Sequence, residues 1–213
     1  MRYAAACLPV PPSAAGARSA PAARYSACAR DPAVILFSHL LKAPALTGAV
    51  VPSSQFLARA MADAAQGAAR IVELGAGTGA VTRALARRHP GVPLTLVELQ
   101  PALARQLARS FPRSDVHVAP AVDVLDRMPG EDGPVVLVSS LPFRSMPTLA
   151  RVQTRNSILQ FLRRHPGSWL VQYTYQPRAP FDGEPGFVWR RRRTVVANIP
   201  PAGVWTLRAV APA

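Results

Sequence analysis

Between residues 54 and 210 the apolar positions follow two periods in turn. Over 54–66, Phe56, Leu57, Met61 and Ala64 fall on one side of a helix, and the strand-like run "RIVEL" follows at 70–74. A helix over about 79–89 turns Val81 and Leu85 inward and Arg83, Arg87 and Arg88 outward. "LTLVEL" at 94–99 reads as a strand, and Pro101 opens a helix in which Leu103, Leu107 and Phe111 repeat at four. "DVHVA" at 115–119 and "PVVLVSS" at 134–140 predict two more strands, and a long helix over about 147–163 precedes "SWLVQYTY" at 168–175. Strands separated by helices make an α/β fold with a mostly parallel sheet covered on both faces. The end of the chain differs. "GFVWRRRRTVVANI" and "GVWTLRAV" have no helix between them and predict a terminal antiparallel hairpin, which brings the sheet to seven strands.

The preceding segments follow neither rhythm. Residues 1–30 are low-complexity Ala, Pro, Ser and Arg and predict a disordered tail; Pro9, Pro11 and Pro12 break the only stretch resembling a secretory signal. Asp31 and Pro32 then cap and open an amphipathic helix, assigned to 31–45. Val34, Leu36, Phe37, Leu40 and Leu41 share one arc of it, and Ser38, His39 and Lys42 the other. Such a helix either packs on the domain core or lies on a membrane surface. The main domain is expected over 46–213.

Composition narrows the partners. Of 213 residues 25 are Lys or Arg and 11 are Asp or Glu, a net charge of +14 that favours anionic surfaces, whether nucleic acid or acidic membrane. No apolar run reaches the roughly 18 residues of a membrane span. Both cysteines, Cys7 and Cys28, lie in the tail, which argues against a disulfide scaffold or a cysteine metal site and fits the cytoplasm. No metal is expected.

Candidate chemistry centres on "VELGAGTGA" at 72–80. A strand delivers Gly75, Gly77 and Gly79 to the start of a helix, where glycines let the backbone turn tightly and let a ligand reach its amides. Glu98 ends the next strand, 19 residues after Gly79, where a carboxylate can accept both hydroxyls of a ribose. By spacing alone this also fits a dinucleotide fingerprint, with Ala80 as the last small residue. Glu73, two residues before the first glycine, the acid after the second strand and the terminal hairpin tilt the choice away from a dehydrogenase.

At these residues the chain resembles the class I S-adenosylmethionine-dependent methyltransferases, "ELGAGTG" being similar to their first motif. The resemblance spans about 46–210 and implies the Rossmann-like methyltransferase fold, with S-adenosyl-L-methionine as cofactor and S-adenosyl-L-homocysteine as product. It implies that Gly75, Ala76, Gly77 and Thr78, with Glu73 and Gly79, line the methionine part, that Glu98 binds the ribose and that Leu99 packs on the adenine. Where the family usually carries Gly-Asp before the adenine loop, this chain has Ala119 and Pro120. The backbone of Ala121 and Val122 then takes that part, with Asp123 as the nearest acid.

Three further stretches resemble bacterial phospholipid N-methyltransferases, which convert phosphatidylethanolamine stepwise to phosphatidylcholine. They are "LKAPALTGAVVPSSQFLARAM" at 41–61, "SSLPFRSMP" at 139–147, and "VQYTYQPRAP" together with "NIPPAGVW". This resemblance implies a cofactor contact at Ser53 and at Ser139, a phospholipid substrate, and a peripheral enzyme on the inner face of the bacterial membrane. No nucleic-acid partner is expected, and a monomer is.

The rRNA adenine dimethylases share the fold and part of the fourth motif, so RNA methylation is the competing activity; a non-catalytic membrane-surface protein is the third. A planar adenine amine needs an amide or carboxylate acceptor, and the turn here has only Ser139 and Ser140 before Leu141, Pro142 and Phe143. A basic lipid amine needs orientation and desolvation instead, and its quaternary product is best held by aromatic faces. The turn through Leu141 and Pro142 is expected to aim backbone carbonyls and a serine hydroxyl at the amine, with Phe143, Tyr173 and Tyr175 supplying those faces and Arg178 meeting the lipid phosphate.

Overall fold

The computed structural model describes residues 55–130 and 132–210. The tail 1–30, the helix assigned to 31–45 and Ser53 lie outside the described residues. Seven strands form one sheet: β1 (Arg70–Leu74), β2 (Leu94–Val97), β3 (Asp115–His117), β4 (Val135–Ser139), β5 (Trp169–Thr174), β6 (Phe187–Val195) and β7 (Ala202–Ala209). Their order across the sheet is β3-β2-β1-β4-β5-β7-β6. β1 to β5 are mutually parallel, and β7 inserts antiparallel between β5 and β6.

Among the described residues the helices are α1 (Gln55–Asp63), α2 (Ala80–Arg88), α3 (Pro101–Ser110), α4 (Ala121–Arg127) and α5 (Thr148–Arg164). Every residue of β2 and β4 is buried, which is why these runs are mostly apolar rather than alternating, with Thr95 and Ser139 the polar exceptions. Alternate side chains feed two cores. Ile71, Val136, Val138 and Val171 meet Leu57 and Met61 of α1, Val81 and Leu85 of α2, and Leu107 of α3. On the other face Val72, Leu137 and Leu170 meet Leu125 of α4 and Ile158 and Phe161 of α5.

The alternation over 70–175 predicts these elements in place and order. α4 escapes it: "AVDVLDR" is seven residues with no side-chain cap, entered from Pro120. The chain leaves β1 towards β2 on one side, while β4 lies on the other. The resulting crevice at the carboxyl ends of β1, β2 and β4 is where ligands of such sheets bind.

Candidate active site

The turn after β1 is hung on β2. The amides of Gly75 and Ala76 donate to the Val97 carbonyl at 2.8 and 3.2 Å, and Gly79 N–H donates to the Ala76 carbonyl at 2.9 Å. Gly75, Gly77 and Gly79 have φ of +75°, +56° and +79°, in the left-handed region that side chains avoid. A Cβ on Gly75 would strike Leu141 Cδ2 at 2.9 Å, and one on Gly79 would strike Phe111 and Leu107 at 2.9 and 3.0 Å. A Cβ on Gly77 would meet nothing within 4 Å. Two glycines therefore serve packing, and Gly77 alone faces open space. Ala76 is buried and Thr78 exposed beside it.

Glu98 is buried, and its two carboxylate oxygens accept from the backbone: Oε2 from Gly77 N–H and Oε1 from Gln100 N–H, each at 2.8 Å. Glu98 thus shapes the glycine turn. Each oxygen keeps a further lone pair for a hydroxyl.

Glu73 is also buried. Oε2 accepts from the Thr82 hydroxyl of α2 at 2.6 Å, and Oε1 has no partner. Burial pushes its carboxyl up to about 8, with the nearby charge of Glu98 adding to the effect and the Thr82 bonds opposing it. Thr82 was not among the residues singled out from sequence. Its only signal is a hydroxyl on the buried side of the helix after the glycine turn.

Leu99 is half-buried on the loop after β2, and Ala121 and Val122 are half-buried in the first turn of α4, on either side of the expected adenine position; Asp123 is exposed in the same helical turn. A cavity of about 430 Å³ opens beside this loop, lined by Thr95, His117, Ala119, Asp123 and Arg127 among others. It includes neither the glycine turn nor Glu98 and reaches Arg70 and Asp115 at the amino ends of β1 and β3, so it is distinct from the crevice at the carboxyl ends of β1, β2 and β4.

The turn after β4 corrects part of the sequence reading. Ser139 is buried, and its Oγ accepts from Leu141 N–H at 3.2 Å. The Leu141 carbonyl already accepts from Phe143 N–H at 3.0 Å and from Gln172 Nε2 at 3.1 Å. The Pro142 carbonyl accepts from the amides of Ser145 and Met146. Leu141 and Pro142 therefore lock the turn, and their carbonyls are not free for a substrate. Ser140 is half-buried, its N–H donates to the Leu74 carbonyl at 3.0 Å, and its hydroxyl has no partner among the described residues.

Phe143 is not an exposed wall. It is buried against Phe181, ring centroids 4.9 Å apart, in the core on the α4–α5 face. Tyr173 packs against the opposite core, and its ring meets that of Tyr175 edge-on at 5.5 Å. Burial, reinforced by Tyr175, holds the Tyr173 phenol well above the usual tyrosine range, so it stays neutral. Tyr175 is 49% exposed. Tyr173 and Tyr175 thus form the aromatic surface at the carboxyl end of β5, and Phe143 is not part of it.

The loop after β5 is tied to the turn after β4. Arg144 donates to the Ala179 carbonyl at 2.7 Å, and Phe181 sits between Phe143 and Trp189. Glu184 pairs with Arg155 at 3.0 Å and with Arg163 of the same helix; the bond from Arg163 holds its carboxyl below the usual range. Arg178 is exposed in this loop and donates to the Gln176 side chain at 3.1 Å.

These residues suit S-adenosylmethionine. The unpartnered oxygen of Glu73 matches a cationic amine, Glu98 matches a diol, and the open side of Gly77 leaves room for a ligand against the backbone. The strand order, the glycine turn and the acid after β2 define a class I S-adenosylmethionine-dependent methyltransferase, and the chain belongs to that family. It is 32% identical over 183 residues to an ornithine lipid N-methyltransferase of Singulisphaera acidiphila, covering 76% of this chain and 88% of that one. A malonyl-[acyl-carrier protein] O-methyltransferase of Geobacter sulfurreducens is 36% identical over 84 residues, which span 39% of this chain and 31% of that enzyme's length.

Among solved structures, the Burkholderia thailandensis 1,6-didemethyltoxoflavin-N1-methyltransferase, with bound 1,6-didemethyltoxoflavin and S-adenosylhomocysteine, superposes with a TM-score of 0.59 at 16% identity. The match covers 90% of this chain and 95% of that one and shows the same fold. No protein-family model matches the chain. The cofactor is S-adenosylmethionine.

Proposed function

We propose that this methyltransferase acts on the amine of phosphatidylethanolamine and of its mono- and dimethyl forms, towards phosphatidylcholine, as a peripheral enzyme on the inner face of the bacterial membrane. The observation that carries the reading is the Tyr173–Tyr175 pair. It stands at the end of β5, beside β4, whose last residue Ser139 pairs with Gln172. A relative named for N-methylation of a lipid supports the same class of acceptor.

When bound, S-adenosylmethionine supplies an electrophilic methyl group on its sulfonium. The chain has to hold a neutral amine there with its lone pair free. In this reading the Ser140 hydroxyl accepts a hydrogen bond from the amine, and the tyrosine faces hold it increasingly as methylation removes its N–H groups. Phe143 acts through Phe181, by keeping the two acceptor loops together. Arg178 is the nearby cation for a lipid phosphate. Adenine methylation would call for a strong acceptor after β4, and Ser139 and Ser140 supply none.

The test is incubation with methyl-labelled S-adenosylmethionine in the presence of phosphatidylethanolamine vesicles, ornithine-lipid vesicles or ribosomal RNA. Label should enter phosphatidylethanolamine. Tyr175→Ala should retain cofactor binding and shift the products towards the monomethyl lipid. Label confined to RNA or to ornithine lipid removes the proposal, and an unchanged product ratio in Tyr175→Ala removes the tyrosine pair from it.

A further inference from the structure

The β6–β7 turn stands at the same edge of the sheet as the glycine turn and Ser140. The pairings of Thr174 with Gly203 and of Val195 with Ala202 put it there. The turn is held from inside: Asn198 is buried, and its Nδ2 donates to the Pro200 carbonyl at 2.7 Å. With Asn198 turned in, Val196 and Ile199 are turned out, 74% and 87% exposed. Exposed aliphatics are common on this surface, Val210 among them, and what sets these two apart is that they share one tip backed by arginines.

Directly behind this tip β6 carries Arg190, Arg191, Arg192 and Arg193, all exposed, and none pairs with a carboxylate among the described residues. A bulge between Arg191 and Arg193 sets Arg193 opposite Val204, which is itself opposite Tyr173. Opposite residues share a face of the sheet. Arg193 therefore lies on the face of the tyrosine pair.

We propose that this turn is a membrane-docking wedge: Val196 and Ile199 enter the acyl boundary of an anionic bilayer, while Arg193 meets lipid phosphates behind them. The inference rests on the lipid reading of the acceptor site. An apolar tip backed by arginines fits a surface that is apolar inside and anionic at its face. Nucleic acid would use the arginines and leave the two aliphatics in water. End-on docking also brings Tyr175 and Ser140, at the same edge, close to the headgroups.

End-on docking grades the arginines. A strand rises about 3.3 Å per residue, so Arg193 lies roughly 10 Å behind Val196 and Arg190 roughly 20 Å. Surface potential decays over about 8 Å at physiological salt, so Arg193 should count far more than Arg190.

The experiment uses the full chain with Cys7→Ser and Cys28→Ser, carrying a nitrobenzoxadiazole probe on the cysteine of either Ile199→Cys or Val210→Cys. Val210 is an exposed aliphatic at the far end of the same hairpin. Vesicles are phosphatidylcholine with phosphatidylglycerol; neither lipid offers an amine to methylate, so docking is read apart from turnover. The Ile199 probe should brighten and be quenched by spin-labelled lipid, and the Val210 probe should not. Ile199→Asp should weaken vesicle partition about tenfold, the effect of keeping one aliphatic side chain out of the bilayer, with S-adenosylhomocysteine affinity unchanged. Arg193→Gln should weaken it about fivefold and Arg190→Gln hardly at all.

Equal responses at both probes, or at neither, overturn the wedge even where phosphatidylethanolamine is still methylated. Equal losses in Arg190→Gln and Arg193→Gln also overturn it. A probe signal that rises with protein concentration without vesicles assigns the tip to a second copy of the chain instead.

Discussion

A buried carboxyl that holds one hydroxyl and leaves its other oxygen unpartnered costs stability and is free to serve a ligand, and Glu73 can be tested on both counts. Below 4.5 both the folded and the unfolded chain hold its proton, and the group costs nothing. Between 4.5 and about 8 only the unfolded chain ionises freely, so stability falls as pH rises, by about 1.4 kcal/mol per pH unit. Above about 8 the loss is complete. Glu73→Gln should therefore raise the stability of the cofactor-free protein at pH 7, by up to about 3 kcal/mol, and flatten its pH dependence. Cofactor binding should move the opposite way. Meeting a cationic amine, Glu73 must lose its proton, so affinity for S-adenosylhomocysteine should climb up to about tenfold per pH unit towards pH 8 and then level off. Calorimetry in buffers of different ionisation enthalpy should show a proton released near pH 6.5. Glu73→Gln should bind weakly at every pH and release none. A wild-type affinity that does not change with pH would leave Glu73 a purely structural group.

At the scale of elements, the glycine turn divides its labour. Gly79→Ala drives a Cβ into Phe111 and Leu107, and Gly75→Ala drives one into Leu141, so both disturb the packing of neighbouring elements. Gly77→Ala meets only open space and carries the cost of left-handed φ, about 1–2 kcal/mol. Gly77→Ala should fold and lose cofactor binding; Gly79→Ala should lower the melting temperature more. Thermal melts with calorimetry check the pair, and a Gly77→Ala variant that binds normally would place the cofactor away from that side.

The same elements show what the sequence could disclose. β1, β2 and β4 are legible because burial on both faces leaves a mostly apolar, β-branched run, interrupted by Glu73, Thr95 and Ser139, and the glycine turn is legible because positive φ restricts the residue type. α4 is not, since seven residues between Pro120 and Met128 give less than two full periods. The acceptor loops are not either. Phe143 reads as a site residue from its place after β4, whereas its burial depends on Phe181, 38 positions later, which no local pattern announces. Gln172 did leave a trace, as the one amide within the apolar run of β5, and it proves to tie down the Leu141 carbonyl.

For the whole molecule, the net charge of +14 and the site make separable demands. In the proposed site the cofactor meets backbone amides and two buried acidic side chains, Glu73 and Glu98, on β1 and just after β2, which β4, β5 and β7 separate from β6. The arginines of β6 are at the surface, with Arg208 beside them; burial, and then Arg192 and Arg190, push its guanidinium below the usual range. Screening length falls from about 30 Å at 0.01 M salt to about 10 Å at 0.1 M, so salt should weaken lipid encounter and leave the pocket intact. On phosphatidylethanolamine vesicles containing anionic lipid, the apparent KM for lipid should rise several-fold over that range. The kcat and the affinity for S-adenosylhomocysteine should stay within about twofold. Ribosomal RNA should inhibit at low salt, as a competing polyanion, without taking up label. Should kcat fall with salt while KM holds, the surface charge acts on the bound acceptor rather than on its arrival, and the division between field and site fails.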